Sequence, residues 1–205
     1  EIRIVVDIIH AAGWPIWPLI FASIIAVAII FERLWALRTS IIAPEGLLLE
    51  ARKMITKDGV KKEAIQSLQD HSMLGEIFAS ALNNFNSPSE IIKDAIEETG
   101  RAINHKLEKY LSTLGTIATV APLLGLFGTI IGMVELFSSF TSSGNDVAVF
   151  ARGISIALYN TAGGIVVAVP AMIAYRFFRT KIDTIIVEME QQAIKLVEII
   201  NGNRK

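Results

Sequence analysis

The sequence predicts an all-α integral membrane protein: a helical bundle with three transmembrane helices, two of them extended into a cytoplasmic helical domain. Three observations predict it. The 19 Lys and Arg and 20 Asp and Glu of the 205-residue chain are segregated, and none falls in 11–31, 110–134 or 153–175. Each of these stretches can cross a hydrocarbon core of about 30 Å at roughly 1.5 Å per helical residue. The chain is 52% hydrophobic but only 19% charged, against about a quarter charged in a soluble domain, so its apolar excess needs more than one core. Outside the uncharged stretches, apolar residues recur at spacings of three and four, the period of an amphipathic helix.

The same composition excludes several functions. A formal net charge of -1 leaves no basic excess for a phosphate backbone, so no nucleic-acid partner is expected. The absence of cysteine removes disulfides, thiolate zinc sites and Cys nucleophiles. His10, His71 and His105 lack ligand spacing, so no metal site is expected. No Walker loop, dinucleotide fingerprint, nucleophile elbow or zincin motif occurs. Neither an enzyme nor a cofactor is expected, and no residue is assigned as catalytic.

In chain order, residues 1–10 form an outer N-terminal segment and 11–35 the first span. Its apolar run exceeds the roughly 7–15 residues of a cleaved leader, and Glu32-Arg33 follows in place of a small-residue cleavage site, so the span is expected to be retained. The chain starts at Glu1, and further residues are expected ahead of it. Arg33, Arg38, Arg52, Lys53, Lys57, Lys61 and Lys62 follow this span; Arg101, Lys106 and Lys109 precede the second; Arg176, Arg179 and Lys181 follow the third. The 140–152 connection offers only Arg152, balanced by Asp146. Lys and Arg concentrate on the cytoplasmic side of membranes, which puts 32–109 and 176–205 inside and the N-terminus outside. Trp14 and Trp17 then mark the outer interface and Trp35 the inner.

The cytoplasmic helical domain covers 36–109. Ser87-Pro88-Ser89-Glu90 reads as a capping box opening a helix. Its apolar stripe is Ile92, Ala95, Ile96, Thr99, Ala102, Ile103 and Tyr110, and with no breaker before Leu111 the helix is expected to continue into the second span, 110–140. An outer loop at 141–152 leads to the third span, 153–178. A C-terminal cytoplasmic helix, 179–205, carries Ile182, Ile185, Ile186, Met189, Ala193, Ile194, Val197 and Ile200 on one stripe. The two stripes are expected to pack on each other and on helices within 45–85.

Inside the membrane the periodic residues are small. Gly115, Ala118, Ala121, Gly125, Gly128 and Gly132 step along the second span, and Gly153, Ala157, Thr161, Gly164, Ala168 and Ala171 along the third. Small residues let backbones approach closely; Gly125, Gly128, Gly132 and Gly164 are accordingly read as helix-packing residues, within one subunit or between subunits. The polar groups there are Thr129, Tyr159, Asn160 and Thr161. A threonine can satisfy its hydroxyl on the carbonyl one turn back, or the cluster can line a hydrated seam. No Asp, Glu, His or Lys occupies the middle of any span, so this chain alone cannot bind and release a proton there. Glu32, Arg33 and Glu135 read as interfacial charges.

Three runs carry a family resemblance: WPLIFASIIAVAIIFERLWALR (17–38), APLLGLFGTIIGM (121–133) and GISIALYNTAGGIVVAVPAMIAYRFF (153–178). They resemble the three spans of the ExbB/TolQ branch of the MotA/TolQ/ExbB proton-channel family, and FERLWALR with Tyr-Asn-Thr-Ala leans toward ExbB. The resemblance implies a multi-pass protein of the bacterial inner membrane, N-terminus periplasmic and C-terminus cytoplasmic. It implies a homo-oligomer, a pentamer in this family, around the single span of an ExbD- or TolR-like partner that supplies an intramembrane Asp. Such a motor uses proton-motive force to drive TonB- or TolA-like proteins, in outer-membrane nutrient uptake or envelope integrity. Thr129 and Thr161 match the family's pore-facing threonines, and Asn160 stands beside them as a pore-lining residue. The sequence departs from the pattern at Ile156, where a Glu is common, and at Arg152, where a Pro is common. A Tol-type motor and a non-conducting membrane scaffold are the alternatives.

Overall fold

The computed structural model describes residues 2–58, 61–142 and 147–203. Among them all regular structure is helical: α1 (Ile2–Ala12), α2 (Ile16–Ala36), α3 (Thr39–Ile42), α4 (Leu47–Lys53) with a π-helical continuation over Met54–Asp58, α5 (Lys62–His71), α6 (Met73–Asn83), α7 (Ser89–Leu107), α8 (Leu111–Ser142) and α9 (Val147–Asn203). Helices α2, α8 and α9 are long and apolar enough to cross a membrane. At about 1.5 Å per residue, the 57 residues of α9 far exceed one bilayer crossing. The chain divides into two compact units, one of residues 1–32 with 110–177 and one of residues 33–109 with 178–205.

The first unit holds the uncharged stretches. Only 17% of the apolar window in α2 is buried, and Phe21, Phe31 and Val166 are largely exposed, so these faces meet lipid or other chains. Inside, Ala12, Ile16, Leu19, Ala121 and Ala168 form a core against which Ile9, Ile20, Leu124 and Val167 pack. The expected first span is interrupted: Ala11 and Ala12 close α1, Gly13 adopts a left-handed φ of 72°, and α2 starts at Ile16. Glycine in that conformation is a standard helix terminator, and Pro15 behind it cannot continue the ladder. The outer N-terminal segment is thus a helix with its own C-cap. The 143–146 part of the expected outer loop, with Asp146, lies outside the described residues; Arg152 Nε instead lies 3.4 Å from Glu135 Oε1, pairing the ends of α9 and α8.

The second unit is built on α6, whose Leu74, Ile77, Phe78, Ala81 and Leu82 are buried. Ser72 caps α6 by accepting a hydrogen bond from Gly75 N at 3.0 Å. A Cβ at Gly75 would stand 1.9 Å from the Leu68 carbonyl oxygen of α5, a backbone atom that cannot swing aside. Gly75→Ala is therefore expected to destabilise this unit by about 2–3 kcal/mol, read as a lowered thermal midpoint. Lys106 Nζ reaches both carboxylate oxygens of Glu76 at 3.0 Å, and Asn201 Nδ2 donates to Ser89 Oγ at 3.3 Å. Ile92 and Ile103 of α7 and Ile182, Ile185, Met189, Ala193, Val197 and Ile200 of α9 are buried, whereas Ile194 is 59% exposed. The expected stripe was wider than one helical face; Leu196 takes the buried position.

The continuous helix expected from 89 into the second span is broken. Helix α7 begins at Ser89, after an extended Pro88, and ends at Leu107. Tyr110 adopts φ 64°, a left-handed conformation that costs a non-glycine residue about 1–2 kcal/mol. Groups distant in sequence hold the end of α7. Arg33, expected at an interface, is 5% exposed and donates from Nη1 to Leu107 O at 3.1 Å, a cation on the carbonyl end of a helix dipole. Arg179 Nη1 meets Glu108 Oε1 at 2.6 Å.

Candidate functional site

The site lies where α8 and α9 cross in the first unit, and glycine makes the crossing possible. A Cβ at Gly132 would stand 2.6 Å from Gly153 O; at Gly128, 2.3 Å from Asn160 Cβ; at Gly125, 2.8 Å from Asn160 O; at Gly164, 2.7 Å from Ala121 O. Contacts that short are forbidden to a side chain, so the four residues read as helix-packing each occupy a point where only hydrogen fits. Their partners run in opposite order along α8 and α9: the two small stripes meet as one antiparallel seam inside a single protomer.

The seam brings two hydroxyls together. Thr129 Oγ1 and Thr161 Oγ1 are 2.6 Å apart, and either can donate. Thr129 also lies within donating reach of Gly125 O one turn back, at 3.3 Å, and of Ala157 O on the other helix, at 3.4 Å. Thr129 thus satisfies its hydroxyl on the carbonyl one turn back, and has a second acceptor across the seam. Each hydroxyl has one hydrogen. When Thr129 gives its own to a carbonyl, Thr161 donates to Thr129 and its lone pairs remain open. Thr129 is half-buried and Thr161 exposed, so the pair has a buried end and a free end.

Asn160 does not share that face, which revises its expected place beside the threonines. It is fully buried, donating from Nδ2 to Ala12 O at 2.7 Å and Ile156 O at 2.8 Å. Consecutive residues on a helix point about 100° apart: Thr161 faces outward while Asn160 faces α8 and the α1–α2 corner. Tyr159 is 39% exposed. Ile156, 3% exposed, sits under that corner, its Cδ1 3.7 Å from the Cβ position of Gly13. Trp14 adds an edge-to-face contact with Phe127, ring centroids 5.9 Å apart. Sequence reasoning missed this corner, although the Gly-Trp-Pro punctuation announces it.

Among the described residues no group of three His, Asp or Glu could hold a metal ion, and no acidic or basic side chain stands in 111–134 or 153–175. Chemically the site offers two coupled hydroxyls, able to pass or accept a hydrogen bond but not to store a proton.

A three-span helical protein with a hydroxyl pair on a glycine seam belongs to a definite class: the chain is a member of the MotA/TolQ/ExbB proton channel family, whose family model matches residues 69–191. Among individual proteins, it is 32% identical over 176 residues to the putative biopolymer transport protein ExbB-like 3 of Synechocystis, covering 83% of this chain and 82% of that one. It is 28% identical over 167 residues to biopolymer transport protein exbB1 of Vibrio cholerae, covering 78% and 72%. The Tol-Pal system protein TolQ of Pseudomonas aeruginosa is 28% identical over 180 residues, covering 82% and 78%.

Proposed function

We propose that this protein is the channel subunit of an ExbB-like inner-membrane motor, conducting protons only together with a single-span partner that brings a carboxylate. The observation that carries this reading is the Thr129–Thr161 pair, 2.6 Å apart with Thr161 exposed, in stretches, 111–134 and 153–175, that carry no acidic or basic side chain. A proton crossing a bilayer needs a group that binds and releases it. A hydroxyl cannot, but one with open lone pairs can accept a hydrogen bond from a protonated carboxyl brought against it and orient water beside it. The partner would resemble ExbD or TolR, with an Asp in its span, and the two threonines would line the path on this side. Copies of this chain would enclose the partner as a homo-oligomer, a pentamer on family grounds. Residues 33–109 and the end of α9 would be cytoplasmic, following the bias of Lys and Arg, and the N-terminus periplasmic. The work available is about 2.3 kcal/mol per charge per 100 mV; it would drive a TonB- or TolA-like envelope protein.

The test is proton uptake into liposomes holding the chain alone, or the chain with its partner. Uptake is expected only with the partner present, and to vanish when the partner's Asp becomes Asn. Absence of uptake from the complete complex would favour a non-conducting scaffold whose glycine seam serves assembly alone.

A further inference from the structure

A fully buried polar side chain, Asn160, is devoted to the α1–α2 corner. Ala12 is the last residue of α1, and its carbonyl lacks a partner within its own helix. Asn160 Nδ2 supplies one at 2.7 Å across 148 positions of sequence and places its other hydrogen on Ile156 O. Because both partners are acceptors, the amide has one allowed orientation, and Oδ1 is left buried without a hydrogen-bond partner. That oxygen stands 2.9 Å from the Cβ position of Gly128, and the Asn160 carbonyl 2.8 Å from that of Gly125. Asn160 thus abuts α8 at two glycines in the turn that leads to Thr129, while reaching the end of α1 with its nitrogen. A buried, unpaired amide oxygen is unfavourable, and an aliphatic side chain would fill the same volume without it. The amide at this point serves the bond to Ala12.

We infer that Asn160 is a positioning residue: it latches the C-terminus of α1 to α9 and sets the height at which Thr129 meets Thr161. Apolar packing also holds α1 beside this bond. Ile9 and Ala12 touch the core, whereas Asp7, Ile8 and His10 are exposed. This hydrogen bond ties the last residue of α1 directly to α9. The effect on transport rests on the proton-path reading above; the latch does not.

Hydrogen exchange of the whole chain in nanodiscs, followed over residues 8–12, tests the latch directly. In Asn160→Leu the exchange of these amides is expected to quicken about tenfold, the scale of one lost buried hydrogen bond. Asn160→Ser is the check against misfolding: its hydroxyl can still reach Ile156 O one turn back but is too short for Ala12 O, so it should release α1 equally. Unchanged exchange in both variants would overturn the latch. Partner-dependent proton uptake is expected to fall about tenfold in both, although both threonines remain. Faster exchange with full uptake would overturn the positioning role. If the unsubstituted complex conducts no protons, the proton-path reading falls, and the exchange result still decides the latch.

Discussion

Gly128→Leu is expected to dismantle the α8–α9 seam. A single Cβ at this position would lie 2.3 and 2.4 Å from Asn160 Cβ and Cγ, and the rest of a leucine must go where α9 already is. Asn160 cannot yield, being fully buried and held at both hydrogens. The helices must part instead, and every contact on Gly125, Gly132, Gly153 and Gly164 parts with them. Adding carbon to a packed interior costs about 1–3 kcal/mol when neighbours can adjust. Here they cannot, and a loss beyond about 4–5 kcal/mol would leave no stably folded protomer to assemble. Gly128→Ala should show the lesser form of the defect. The chain has no native cysteine, so Thr129→Cys with Thr161→Cys provides a clean oxidative cross-link reporting on the seam. It should form in the otherwise unsubstituted chain and fail with Gly128→Leu. An intact cross-link and a native-size particle in mass photometry would show that the seam tolerates the bulk.

Thr161→Val should lower partner-dependent proton uptake by about 10²-fold, the scale of one lost hydrogen bond to a charged group, with little change in stability. Valine matches the shape of threonine, and its loss of the hydroxyl strands no donor: Thr129 retains Gly125 O and Ala157 O as acceptors. Folding and conduction are thereby separated, as they are not at the glycines. Thr161→Ser, which keeps the oxygen, should retain most of the uptake. Full uptake in the valine variant would remove the threonine pair from the path.

Much of this architecture is legible in the residues. A charge in hydrocarbon is so unfavourable that spans are marked by what they lack, and apart from Tyr110 the gaps at 110–134 and 153–175 fall within α8 and α9. The glycine and alanine steps are legible for a similar reason: close helix approach admits nothing larger. The site was legible in part. Thr129 and Thr161 share one seam, but the neighbouring Asn160 could not be distinguished from them by type or spacing. Which way it points depends on Ala12, 148 positions away. The break at Tyr110 was hidden for the same reason, since no local residue announces it and the groups holding the end of α7, Arg33 and Arg179, lie 74 and 71 positions off.

Composition and period were enough to establish a three-span helical protein without a proton-binding group in its membrane core, because hydration of charge and the helical repeat act locally and additively. The pairing of the two hydroxyls, the burial of Asn160 and the corner that docks α1 depend on distances between remote segments. Those distances arise only when the backbones meet at the glycines, so folding settles what one-dimensional spacing leaves open.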